Sequence, residues 1–301
     1  MAGQSIGKIG MNPAPSVILF TVLSGMGFGL LAFLGAGFVQ PVGWVAFFHW
    51  GLGYGLAVGG LAASTFHLGN PQRAFKAFTQ WQTSWLSREA WAAVLTLLLL
   101  APVALSDWLG LGWSRATGFI GAAACFGTIF TTSMIYAQIA AVPRWNNWTV
   151  PVMFLSFELT GGALLAGQVL PALIGGIALI LALYAHKTKG DVAFAKRGQT
   201  LGKATGLDQV GSATVFEQPH TSPNYLMREM IYVVARKHVA RLWPIAFGAA
   251  AILPAGMVVL LPHHLLTFAM AAVIHLIGAA ASRWLFFAQA EHVVGLYYGQ
   301  R

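Results

Sequence analysis

Residues 67–91 read HLGNPQRAFKAFTQWQTSWLSREAW and gather side chains that can exchange protons and hold a polar ring. His67 brings an imidazole with an ordinary pKa near 6.5, Arg73 and Arg88 bring permanent cations, and Glu89 brings a carboxylate. Trp81, Trp85 and Trp91 stand among them. Gly69 permits a chain reversal, Asn70 can cap, and Pro71 starts the next turn, which holds Arg73 near the surface. Ser87 is placed to cap the following helix, with Arg88 and Glu89 in its first turn. Together these groups suit binding a quinone ring, hydrogen-bonding its oxygens and moving two protons. Spacing alone also suits a loop that only anchors two helices at a membrane surface.

The elements that hold this loop follow from composition. Only 8% of the residues are Asp, Glu, Lys or Arg and 57% are hydrophobic, whereas a soluble domain carries roughly 25% charge. Apolar runs long enough to cross about 30 Å of hydrocarbon recur along the chain, and lipid leaves helix as the sensible backbone form. The fold expected is all-α, polytopic, with about eight transmembrane helices in a single integral membrane domain over 1–301. The spans are Pro15–Val39, Val42–Phe66, Glu89–Ser106, Ala116–Ala140, Val150–Gln168, Pro171–His186, Trp243–Leu261 and Leu265–Ala288. The first is read as a retained helix, not a signal peptide. Gly25, Gly27 and Gly29 in the first helix, and Gly51, Gly53, Gly55, Gly59 and Gly60 in the second, predict a tight helix–helix seam.

A net charge of +9 would suggest nucleic acid in a soluble protein; here its distribution points to orientation instead. One arrangement collects Lys8, Arg73, Lys76, Arg88, Arg144, the nine basic residues of 187–242 and Arg301 on one side, leaving Arg115 alone on the other. By the positive-inside rule both termini are then cytoplasmic. The long cytoplasmic loop 187–242 ends in NYLMREMIYVVARKHVARLW, whose apolar spacing fits an interfacial helix or a solvated connector. Cys125 stands alone, which excludes a disulfide framework and a zinc or iron–sulfur site of the chain's own. Glu158, inside the fifth helix, can pair with Arg283, hydrogen-bond while protonated, or relay protons. His49 and His275 could serve as axial haem ligands only if their helices faced each other. No internal repeat is visible, and few polar residues lie at mid-membrane, which weighs against a secondary transporter.

HLGNPQRAF with SWLSREAW, and YAQIAAVPRWNNWTVP with FLSFELTGGALLAG, resemble the signature segments of membrane anchor subunits of the dimethyl sulfoxide reductase family. The N-terminal helix and the Arg283 segment resemble it more loosely. The long loop and the charge bias look more like the anchor subunits of cytoplasmic sulfite dehydrogenases. The resemblance implies a non-catalytic subunit of the bacterial inner membrane that docks an iron–sulfur subunit, itself bound to a molybdopterin catalytic subunit, on the cytoplasmic side. It implies electron exchange with ubiquinone or menaquinone and no haem. By motif position it implies His67, Gly69, Arg73 and Glu89 in a quinone site, with Tyr136 as neighbour. The alternative within the family is the reverse flow, in which quinol is oxidised to reduce a sulfoxide or similar acceptor.

Overall fold

Lipid offers the backbone no hydrogen-bond partner, so each apolar segment must satisfy its own N–H and C=O groups as a helix. The structure, a computed structural model, describes residues 14–67, 70–217 and 238–298, apart from the side chains of His67 and Pro71. Among the described residues there are helices and turns and no strand. Among the described residues eight long helices run back and forth. The first six are α1 Pro15–Gly35, α2 Trp44–Ala63, α3 Trp85–Leu109, α4 Ala116–Ala137, α5 Thr149–Leu165 and α6 Val169–Arg197. A short helix, α7 Leu201–Thr205, precedes the last two, α8 Val239–Leu260 and α9 Leu265–Ala288. Seven are long and apolar enough to cross a membrane by composition. The other, α5, has 17 residues, at the lower limit for a crossing. Its burial inside the bundle suits a helix with little exposure to lipid.

The hub is α1, whose apolar stretch is 78% buried against 28% for α2 and for α3. It packs on α2, α4, α5 and α9, while α3 pairs with α4, α5 with α6, and α8 with α9. Glycine explains how one helix touches so many. On the α2 side, Gly27 meets the main chain of Gly53 and Ala57, and Gly60 meets Phe20 and Ser24. On the α5 side, Gly29 and Gly162 lie main chain to main chain. The expected seam is therefore real but narrower: Gly25, Gly51, Gly55 and Gly59 face open space.

Two boundaries differ from the sequence reading for identifiable reasons. α6 continues past His186 to Arg197, because its extension is tied to the loop that precedes α5. Asp191 there pairs with Arg144 at 2.6 Å, and Arg197 donates to the Asn146 side chain at 3.0 Å. α3 begins at Trp85, earlier than expected, so Ser87 is an internal residue whose hydroxyl accepts from Gln80 N instead of capping. Of the segment read as an interfacial helix, residues 224–237 lie outside the described residues.

The loops 64–84 and 138–148 and the residues after α9 share one end of the bundle, where Val293 N donates to the Ala141 carbonyl. At the opposite end Arg115 is fully engaged. It binds Asp107 at 2.7 Å and donates to the Leu34 carbonyl, while Trp50 Nε1 also donates to Asp107. Arg115→Met strands a largely buried carboxylate, so we expect destabilisation of about 2 kcal/mol, read as a lower aggregation temperature in detergent; an unchanged temperature would contradict it.

Candidate functional site

The loop after α2 is built from two 3-10 segments, Ser64–His67 and Pro71–Phe78. The start of α3 holds its far end. Trp91 Nε1 donates to the Phe78 carbonyl at 3.0 Å, and Arg88 donates to the carbonyls of Trp81 and Gln82 at 3.0 and 2.7 Å. The Arg88 guanidinium also lies 4.4 Å from the Trp85 ring. Arg88 is thus committed to the loop, and Arg73 is exposed on the second 3-10 segment. Phe66 on the first segment and Phe75 on the second are each 82% exposed. Gly69 lies outside the described residues, as does the side chain of His67; the His67 backbone closes the first 3-10 segment.

Glu89 points the other way. With α3 starting at Trp85, it lies just beyond the first turn and faces the bundle; it is 3% exposed and accepts a 2.5 Å hydrogen bond from Thr132 on α4. One turn further along α4 stands Tyr136, buried and within the electrostatic reach of Glu89 and Arg283. Tyr136 is boxed by Trp145, Phe154, Phe286 and Phe287 at centroid distances of 5.3 to 5.9 Å. Trp145 stacks on Phe286 and donates to its carbonyl at 2.9 Å, which binds the 138–148 loop to the end of α9. The structure therefore brings Glu89 and Tyr136 to one end of the bundle, at the level of the 64–84 loop, inside an aromatic wall.

Glu158 and Arg283 are not paired. Both carboxylate oxygens of Glu158 are buried and make no hydrogen bond to the protein. Arg283 lies instead on two aromatic faces, 3.5 Å from the centre of Phe154 and 4.8 Å from that of Phe157. Of the alternatives that the sequence left open for Glu158, pairing with Arg283 is not formed, because the guanidinium turns to the aromatic rings instead. His49 and His275 do not face each other either. His49 is near the start of α2 and bonds the Val45 carbonyl, while His275 is buried on α9 against Ala250 of α8.

The sequence reading missed Thr132, the partner of Glu89, although it stands four residues before Tyr136 and so shares its helix face. It also counted Arg144 only as loop charge. Arg144 is 7% exposed, bound to Asp191, beside the His186–Thr149 pair at 3.1 Å. A larger cavity lies elsewhere: about 370 Å³ near the opposite end, walled by Phe33, Phe38, Phe126, Leu170 and Ile174, and almost wholly apolar. It offers a lipid tail room but a ring oxygen no partner.

Comparison with known proteins gives two matches. The model of the family described as DMSO reductase anchor subunit (DmsC) matches residues 10–181. The chain is also 28% identical, over an alignment of 325 positions, to a sulfite dehydrogenase subunit of Allochromatium vinosum, covering 96% of this chain and 99% of that protein.

Proposed function

We propose that this chain, which belongs to the DMSO reductase anchor subunit (DmsC) family, is a quinone-reactive membrane subunit. Its role is to pass electrons between an iron–sulfur subunit and the membrane quinone pool, in a complex whose molybdopterin subunit oxidises sulfite. The observation that carries the reading is the Glu89–Thr132–Tyr136 cluster at the loop-bearing end. Among the described residues it is the place where a proton-exchanging carboxyl, a phenol and an aromatic wall coincide. A bound quinone would supply the two-electron, two-proton couple. Glu89 would hold and move a proton, Tyr136 would donate to a ring oxygen, and His67 and Arg73 would bind the other oxygen from the loop. The exposed rings of Phe66 and Phe75 offer apolar contact to a ring arriving from lipid. Sulfite as the partner's substrate is supported by the near full-length match to a sulfite dehydrogenase subunit.

The same reading fixes the face on which partners sit. Electrons must leave the clusters of a soluble partner near the quinone, so that partner docks over the loops at 70–84 and 138–148, on the side that the basic residues make cytoplasmic. Crosslinking of the purified complex should place the iron–sulfur subunit on those loops. Crosslinks at 110–115 or 261–264 would put the partner at the wrong end and sink the proposal.

A further inference from the structure

A small cavity lies within the bundle between α1, α4, α5 and α9, with Thr21, Met26, Ile129, Phe157, His275 and Arg283 in its wall. Its free volume is about 10 Å³, the room of roughly one water molecule. The sequence of α9 explains it. His275, Ala279 and Arg283 recur at intervals of four and share one face. Helical side chains lean toward the N-terminus of their helix, so Arg283 reaches back over Ala279 toward His275. The single methyl of Ala279 leaves the gap.

The polar atoms around this gap are complementary. Pro254 has no N–H to offer the carbonyl four residues earlier, that of Ala250. His275 Nδ1 approaches this carbonyl at 2.6 Å. A carbonyl only accepts, so Nδ1 carries the proton and Nε2 presents a lone pair. Nε2 is buried and makes no hydrogen bond to the protein, although the Phe157 backbone is near. Arg283 Nε and Nη1 are buried donors likewise without a protein partner. Thr21 Oγ1 spends its proton on the Val17 or Ile18 carbonyl, 3.1 and 3.2 Å away, and keeps a lone pair free. Empty cavities in proteins are apolar-walled, and buried water typically makes about three hydrogen bonds.

We propose that this cavity binds one water molecule, accepting from Arg283 and donating to His275 Nε2 and Thr21 Oγ1. The water fixes the guanidinium against Phe154, whose ring also packs on Tyr136. Arg283 is thereby a positioning residue for the Glu89–Tyr136 cluster. This second step rests on the quinone reading; the water site does not.

Brief X-ray radiolysis of the intact complex converts bound water to hydroxyl radical in place, and mass spectrometry reads the oxidised side chains. Met26, 5% exposed, lines the cavity, while Met153, 1% exposed, is also buried in the same bundle but outside its wall. Met26 should oxidise several-fold faster than Met153 in the wild type, and equal rates overturn the water site. Ala279→Leu, or the smaller Ala279→Val should leucine not be tolerated, fills the gap and should bring Met26 down to the Met153 rate; persistence of the excess overturns the assignment. The same variant should raise the KM for quinone roughly tenfold, with turnover on a soluble dye unchanged. Loss of the Met26 signal with unaltered quinone kinetics removes the positioning role. A wild-type complex inert to quinone removes the quinone reading and that role together, and the Met26 comparison still decides the water site.

Discussion

Glu89→Gln leaves the complex assembled and active with a soluble artificial dye, and lowers turnover with quinone about a hundredfold or more. Glutamine keeps the shape of the side chain and an oxygen that can accept from Thr132. It cannot gain or lose a proton at physiological pH, so the substitution isolates proton exchange from packing. Dye activity reports the partner's catalytic centre and assembly; quinone activity reports this subunit. His67→Ala should separate the two activities in the same way, because His67 is read as a hydrogen-bonding and proton-exchanging residue of the same site. If Glu89→Gln retained normal quinone turnover, the buried carboxyl would be a structural acceptor for Thr132 only.

The second large effect is on the bundle itself. Gly162→Leu places a Cβ 2.6 Å from the Cα of Gly29, and the obstructing atoms are main chain. No rotamer change relieves that contact, so α1 and α5 must separate, and α1 is the hub on which α2, α4 and α9 also pack. Overpacking commonly costs about 1–3 kcal/mol, and this case lies at about 3 kcal/mol or beyond. The expected outcome is loss of monodisperse protein on size exclusion and of membrane-bound dye activity. Gly51→Leu is the control, since a Cβ there meets nothing within 4 Å and points to lipid. Equal yields for the two variants would mean that the α1–α5 contact is not the close approach described.

How much of this was legible in the sequence differs by the kind of signal. The helices were legible because hydrocarbon permits few alternatives, and apolar length registers that directly. Their ends were less so. The stretch KTKGDVAFAKR carries charge and glycine and resembles a loop, yet it continues α6 because Arg144 and Asn146 reach across to it. That contact is tertiary and leaves no local mark. The glycine seam was legible in composition but not in detail, since rotation about a helix axis selects Gly27, Gly53 and Gly60 and turns Gly51 and Gly59 outward. The same missing rotation left a Glu158–Arg283 pairing open, where the structure sets Arg283 on Phe154 and Phe157. Glu89 was singled out by the residue types of 67–91 and Tyr136 by motif position, whereas Thr132 and His186 needed the folded neighbours of α3 and α6.

The central claim is that quinone reacts at the loop-bearing end, beside Glu89 and Tyr136. A photoreactive quinone, activated on the purified complex and mapped by peptide mass spectrometry, tests it most directly. The account predicts label within 64–91 and 129–148, displaced by unmodified quinone and diminished in His67→Ala. Label confined to the apolar cavity of Phe33, Phe126 and Ile174 near the opposite end would contradict it.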